Sequence, residues 1–115
     1  MVTSVRQCRT RGNARTADRR ADDQRFRVVE VDGGLDDFAS QTVYTVSFRG
    51  FVTHFAMLCP CGCSSKLFLN ALADARPRWR LMRWRGYPSL VPSVHRVIGC
   101  QSHFILRRGR IIWCA

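Results

Sequence analysis

The feature that most constrains the fold of this 115-residue chain is a pair of cysteine-containing clusters about forty residues apart. The first is Cys59-Pro60-Cys61-Gly62-Cys63, and the second is Gly99-Cys100-Gln101-Ser102-His103-Phe104. A structural zinc ion takes four nitrogen or sulfur ligands in a tetrahedron, often as two pairs that the fold brings together. Gly62 allows the positive φ of a tight turn, and such a turn can aim two side chains at one point. The spacing therefore predicts a zinc-stabilised domain.

The predicted Zn²⁺ ligands are one pair from each cluster: Cys59, Cys63, Cys100 and His103. The spacers within both pairs suit a zinc site. Two alternatives stay open, because Cys61 could replace Cys59 or Cys63, and Cys114 could replace His103. Disulfides between neighbouring cysteines are disfavoured, since a one-residue spacer fits disulfide geometry poorly.

The chain divides into three predicted parts. Residues 1–24 are polar, charged and without hydrophobic periodicity, which predicts a disordered tail. Residues 25–40 contain an apolar run followed by a glycine turn, which predicts a short strand and a turn. Residues 41–115 are predicted to form the zinc-binding β domain. A core of this size is marginal by buried area alone, so a metal ion would add needed stability.

Alternating apolar and β-branched residues predict strands at residues 42–48, 51–58 and 66–70, with the cysteine turn between the last two. Residues 103–107 and 110–114 are predicted to form a closing hairpin across Arg108-Gly109. We expect Pro92 to confine residues 89–94 to a sheet edge or a connection. The three tryptophans are expected to supply much of the core. The predicted fold class is mainly β, a small domain of zinc-ribbon-like hairpins.

The sequence has no apolar run near eighteen residues and no apolar segment of the signal-peptide type at its start. It therefore predicts no membrane association and a cytoplasmic location. A reducing compartment favours metal binding over disulfide formation by clustered cysteines.

Positive charge is concentrated in the predicted domain. The formal net charge is +11, and residues 41–115 contain ten Arg and one Lys against one acidic residue, Asp74. Such a field favours an acidic or polyanionic partner, although net charge also serves solubility. The candidate contacts are arginines near the predicted turns and strands: Arg78, Arg80, Arg83, Arg85, Arg107, Arg108 and Arg110. A zinc-stabilised nucleic-acid-binding protein is therefore one hypothesis for the function.

Several short motifs in order resemble a bacterial and phage family catalogued as domain of unknown function 6527. The family pattern corresponds here to residues 59–63, Trp79-Arg80-Leu81, Pro92-Ser93, residues 99–104, Gly109 and Ile111-Ile112-Trp113. The resemblance covers about residues 45–115. It supports Cys59 and Cys63 as ligands, since the family does not require a cysteine at the middle position. It also implies a setting near bacterial ubiquitin-like conjugation genes, and therefore a protein partner from such a system.

The sequence gives little support for catalysis. A catalytic zinc keeps one coordination position open and usually needs a nearby general base, and carboxylates are almost absent from residues 41–115. His54 and His95 lie in apolar runs and are expected to be structural. A reactive thiol at Cys61 or Cys114 would need an electropositive, exposed environment. The favoured function is therefore a zinc-binding protein-interaction module, an adaptor in a ubiquitin-like conjugation or defence system, with an enzyme as the less favoured alternative.

Overall fold

The computed structural model describes residues 2–3, 25–96 and 99–114. Every regular element in these ranges is a β-strand, which confirms the mainly-β prediction. The strands are β1 Val2–Thr3, β2 Arg27–Asp32, β3 Thr42–Phe48, β4 Phe51–Leu58, β5 Lys66–Asn70, β6 Arg80–Trp84, β7 Tyr87–Arg96, β8 His103–Arg107 and β9 Arg110–Trp113. No helix long and apolar enough to cross a membrane occurs within the described ranges.

Two further predictions are left open. Apart from the short strand β1, the predicted disordered tail of residues 1–24 lies outside the described residues. The division of the chain at residues 24 and 40 stays a prediction.

The first sheet has four strands in the order β2-β3-β4-β5. β2 pairs with β3 in parallel, and the other two pairings are antiparallel. The predicted strands at residues 42–48, 51–58 and 66–70 are confirmed at both ends. Among these three strands, burial alternates with a period of two only in β5, whereas the first five residues of β3 are all buried, and β-branched and aromatic residues supplied the signal there.

β3 is buried on both faces over its first five residues. One face contributes Val43 to the main core, and the other places Tyr44 and Val46 in a smaller cluster with Leu35 and Phe38. The connection between β2 and β3 therefore covers the outer face of the first sheet. The hydroxyl of Tyr44 accepts a hydrogen bond from the backbone N–H of Ala39 at 2.8 Å, which ties this connection down.

The second sheet has the order β1-β7-β8-β9, with β6 also paired to β7. The expectation that Pro92 would confine residues 89–94 to an edge or a connection is wrong, because they belong to β7, an interior strand that pairs with both β6 and β8. The pairing of β7 with β8 shifts register between Leu90 and Val94. This irregularity accommodates Pro92, because a residue without an N–H is tolerated where the ladder is interrupted.

The main core lies between the two sheets. It combines buried side chains of the first sheet, such as Met57 and Leu69, with Leu90 and Phe104 of the second. The tryptophans behave differently from one another. Trp79 is 2% exposed in the core, and Trp113 is partly buried and packs against Phe104. The expectation that Trp84 belongs to the core is wrong, since it is 37% exposed.

The closing hairpin of β8 and β9 has the predicted register. Arg107 pairs with Arg110 and Phe104 with Trp113, so the turn is centred on Arg108-Gly109. Gly109 has φ +80°, and a Cβ atom there would lie 3.1 Å from the carbonyl oxygen of Phe26 and 3.1 Å from the ring of Tyr87. The hairpin tip is therefore packed against the start of β2 and β7.

We predict that Gly109→Ala destabilises the fold more than Gly50→Ala. Both glycines have positive φ, but a Cβ at Gly50 would meet nothing within 4 Å. The backbone strain common to both variants costs about 1–2 kcal/mol, and overpacking at Gly109 adds about 1–3 kcal/mol. Denaturant unfolding of both variants measures the difference, and equal free energies of unfolding would contradict the packing of the hairpin tip.

Candidate functional site

Four cysteines from two distant parts of the chain come together at one end of the sheets. Cys59 follows the last residue of β4, Cys61 and Cys63 lie in the turn before β5, and Cys100 lies in the connection from β7 to β8. The turn is closed by a hydrogen bond of 2.8 Å from the N–H of Cys59 to the carbonyl oxygen of Ser65. Gly62 has φ +93°, as the tight turn requires. The cluster therefore connects the first sheet to the second.

The geometry of the cluster fits a tetrahedral metal site. The four Sγ atoms all lie within 4.8 Å of one another. The sulfur of Cys59 is 3.4 Å from that of Cys61 and 3.5 Å from that of Cys100. Four sulfurs around one Zn²⁺ at a bond length of about 2.3 Å are separated by about 3.8 Å. Small adjustments of the side chains would therefore bring all four within bonding distance of one ion.

Polar groups surround the sulfurs. Arg96 directs Nη1 at the sulfurs of Cys63 and Cys100, at 3.4 and 3.1 Å. The hydroxyl of Ser102 lies 3.0 Å from the sulfur of Cys100 and 3.7 Å from that of Cys59. A guanidinium at this distance would offset part of the negative charge of four thiolates, and hydroxyl contacts would fix the orientation of the ligands.

Two of the thiols have opposite tendencies to ionise. Burial raises the pKa of Cys59 to about 12, whereas hydrogen bonding with Ser65 lowers the pKa of the exposed Cys63 to about 6. At neutral pH without a cation, Cys59 therefore keeps its proton. A bound divalent cation would reverse this preference, because a metal ion deprotonates the thiols that coordinate it.

The structure brings together three of the four predicted ligands and adds an alternate. Cys59, Cys63 and Cys100 are joined by Cys61. His103 turns its Nε2 towards a hydroxyl, 3.2 Å from Oγ of Ser93. Cys114 is disulfide-bonded. The set that includes His103 stays a prediction, and the arrangement of the sulfurs favours four cysteines.

A serine–histidine pair lies beside the cysteine cluster. Ser93 belongs to β7 and His103 is the first residue of β8. The indole Nε1 of Trp79 donates a hydrogen bond of 3.3 Å to the carbonyl oxygen of Ser93, which holds this part of β7 against the core. A serine hydroxyl within hydrogen-bond distance of an imidazole nitrogen is the arrangement that activates serine as a nucleophile.

The imidazole of His103 has the protonation state that a general base needs. Its pKa lies below the usual 6.5 because burial disfavours the charged ring, and because the nearby charge of His95 opposes a second positive charge. The two histidine rings are 4.8 Å apart between centroids. His103 is therefore mainly neutral at pH 7 and can accept a proton from Ser93.

Sequence reasoning missed Ser93 as a functional residue. A serine nucleophile has no ligand spacing that would identify it, and its partner His103 is ten residues away on another strand. The only available signal was that Pro92-Ser93 and Ser102-His103 both occur among the motifs of the resemblance.

The seven candidate arginines do not share one environment. Arg107, Arg108 and Arg110 line a cavity together with Arg25 and Trp84. Arg85 lies over the ring of Trp84. The remaining three lie on β6 or just before it: Arg78 donates to the carbonyl oxygen of Ala71, Arg83 pairs with Glu30, and Arg80 is exposed.

Cobalt substitution distinguishes the two ligand sets. We expect Co²⁺-loaded protein to show thiolate-to-cobalt absorption for four sulfurs, because four Sγ atoms already surround one point. His103→Ala should leave that spectrum unchanged, whereas Cys61→Ser should reduce it. A three-sulfur spectrum that changes in His103→Ala but not in Cys61→Ser would instead support the ligand set that includes His103.

Comparison with known proteins identifies the family. Residues 30–114, well over half of the chain, match the family described as "Bacterial ubiquitination-like system serine protease (BubE)". Curated proteins and solved structures give no match. The match confirms the ubiquitin-like setting that the resemblance implied, although under a description other than domain of unknown function 6527. The chain belongs to the BubE family of bacterial ubiquitination-like systems.

Proposed function

We propose that this chain is a serine protease that cleaves a ubiquitin-like protein of a bacterial ubiquitination-like system, with Ser93 as nucleophile and His103 as general base. The observation that carries the proposal is the distance of 3.2 Å between Ser93 Oγ and His103 Nε2. The family description supports the same reaction class. Membership of that system supports protein partners, whereas the nucleic-acid alternative rests on charge alone.

The reaction follows from the chemistry of the pair. His103 Nε2 accepts the hydroxyl proton as Ser93 Oγ attacks the carbonyl carbon of the scissile amide. The tetrahedral intermediate collapses when the C–N bond breaks and His103 gives its proton to the leaving amine. An ester of Ser93 remains. Water then attacks this ester while His103 accepts one of its protons. The C–O bond to Ser93 breaks as His103 returns that proton to Oγ, and the product acid leaves and ionises to a carboxylate.

Zinc is the metal that we propose for the cysteine cluster. Four thiolates in a small, closed arrangement are the ligand set of structural zinc sites. Cys59, Cys61, Cys63 and Cys100 would hold the ion, and it would supply folding free energy by joining the two sheets. With four protein ligands the ion has no open position, so the proposed reaction depends on Ser93 and His103 alone.

The cysteine cluster is proposed to position His103. Only two residues separate Cys100 from His103, and Ser102 between them contacts the sulfurs of Cys59 and Cys100. The carbonyl oxygen of Ser102 also accepts a hydrogen bond of 2.8 Å from the N–H of Arg96. A metal-bound Cys100 would therefore fix the start of β8, and with it the imidazole that faces Ser93.

An adaptor function is the second candidate, because the tip of the β3–β4 hairpin exposes two large apolar side chains. Phe48 is 58% exposed and Phe51 is 74% exposed. Adjacent exposed aromatic residues are typical of protein-contact surfaces. An adaptor would need this surface but not the hydroxyl of Ser93, so the two functions respond differently to substitution.

We predict that Ser93→Ala abolishes cleavage of a fusion between the system's ubiquitin-like protein and a carboxyl-terminal extension. Loss of the nucleophile should lower kcat/KM by about 10³-fold or more. Cleavage is measured by gel and mass spectrometry. Ser47→Ala is the control, since Ser47 lies on β3 of the first sheet, which pairs with neither β7 nor β8, and it should retain most activity.

The adaptor alternative gives another pattern in the same assay. Wild-type protein that binds the ubiquitin-like protein without cleaving it, and loses binding in Phe51→Ser but not in Ser93→Ala, would contradict the protease proposal.

The pH dependence of cleavage should report on His103. Because burial and His95 lower the pKa of His103, kcat/KM should rise as pH increases through a value below 6.5 and be constant around pH 7. His95→Gln removes a neighbouring positive charge, so it should move the midpoint to higher pH. Rates measured from pH 4.5 to 8 test this, and a midpoint above 6.5 in wild type would contradict the lowered pKa of His103.

A further inference from the structure

A basic cavity lies at the tip of the closing hairpin, away from the cysteine cluster. Its volume is about 250 Å³, and its lining consists of Arg25, Arg107, Arg108, Arg110, Trp84 and Ile112. Four of these six residues carry a permanent positive charge, and none is acidic. Such a concentration of guanidinium groups around one concavity attracts anions.

The arrangement inside the cavity is partly fixed. The guanidinium of Arg108 lies 4.7 Å from the ring centroid of Trp84, and that of Arg85 lies 4.9 Å from it. The backbone N–H of Arg108 donates a hydrogen bond of 2.8 Å to the hydroxyl of Ser89. The turn and its charged groups are therefore held in place before any ligand arrives.

One face of the second sheet connects this cavity to the serine–histidine pair. In β8 the side chains of Phe104 and Leu106 point into the core, so His103, Ile105 and Arg107 share the opposite face. On β9, Arg110 pairs with Arg107, and Ile112 pairs with Ile105. An apolar pair of isoleucines thus separates His103 from the arginines.

The spacing along this face suits an extended peptide. His103 and Arg107 are four residues apart on one strand, which corresponds to about 14 Å. An extended substrate advances at about the same rise per residue. A peptide whose scissile bond lies at Ser93 would therefore place a side chain about four residues away at the arginines.

We propose that the cavity binds a carboxylate side chain of the protein partner. This proposal rests on the proposed function: the carboxylate would belong to an acidic residue of the substrate, about four residues from the bond that is cut. Arginine recognises carboxylates through paired, charge-assisted hydrogen bonds. Ile105 and Ile112 would contact the apolar part of the segment between the acidic residue and the scissile bond.

The cavity suits a carboxylate better than a nucleic acid. Nucleobase binding relies on stacking against an open aromatic face. Two guanidinium groups already lie over the ring of Trp84 and would compete with a base for it. A carboxylate needs only the guanidinium groups, and leaves their contacts with the ring in place.

Binding can be tested independently of cleavage with the full chain carrying Ser93→Ala. Fluorescence anisotropy would use a labelled peptide with a run of glutamates, its glutamine counterpart, and a labelled single-stranded oligonucleotide of equal charge. The pocket variant adds Arg107→Gln and Arg108→Gln. The control adds Arg49→Gln and Arg80→Gln, two exposed arginines that do not line the cavity, so both variants lose the same charge.

We expect the glutamate peptide to bind about tenfold more weakly to the pocket variant than to the control, and the glutamine peptide to bind neither well. Equal weakening in both variants would reduce the effect to general charge and overturn the proposal. Pocket-dependent binding of the oligonucleotide but not of the peptide would overturn it in favour of nucleic acid.

The outcome also separates this proposal from the proposed function. If the glutamate peptide binds through the cavity but wild-type protein cleaves no ubiquitin-like fusion, the protease proposal is contradicted and the carboxylate-site proposal is supported. If wild-type protein cleaves the fusion and the pocket variant binds the glutamate peptide as tightly as the control does, the carboxylate-site proposal is contradicted and the protease proposal is supported.

Discussion

Four sulfurs converge where two sheets meet, and they add to the apolar core and to the Arg83–Glu30 ion pair that also join the sheets. Cys59, Cys61 and Cys63 belong to the turn that connects two strands of the first sheet, and Cys100 belongs to the connection that leads into β8 of the second. A metal ion at this point would close a loop of about forty residues and add its binding free energy to folding. The same connection leads to His103, and only two residues separate Cys100 from it.

The serine–histidine pair lies just beyond the irregularity in the pairing of β7 with β8. Pro92 interrupts the pairing of β7 with β8, and Ser93 follows directly with its carbonyl oxygen held by Trp79. Beyond the interruption the pairing resumes with His95 opposite His103, so the alternation of β7 puts Ser93 on the face of the strand that carries His95. Burial then keeps the imidazole neutral. The pairing of these two strands thus places a hydroxyl and a base at hydrogen-bond distance.

Short sequence patterns predicted individual strands and turns of this fold. They did not predict features that depend on contacts between residues far apart in the sequence. Strands β3, β4 and β5 and the register of the final hairpin followed from alternation and turn residues. Pro92 was placed at an edge because no local pattern indicates that a register shift will accommodate it in an interior strand. Trp84 was assigned to the core by size, whereas arginines that the fold brings beside it cover its ring. The cysteine spacing indicated a site without deciding between Cys61 and His103, because that choice depends on how β8 begins.

The most direct test of the account is the identity of the residue that attacks the substrate. The carboxyl-terminal residue of the system's ubiquitin-like protein can be replaced by a phosphonate electrophile, which reacts with an activated serine and stays attached. After incubation and digestion, tandem mass spectrometry locates the modified residue. The account predicts one adduct, at Ser93, that disappears in His103→Ala protein shown to retain its metal. An adduct at any of the four clustered cysteines, or an adduct at Ser93 that forms equally fast without His103, would contradict it.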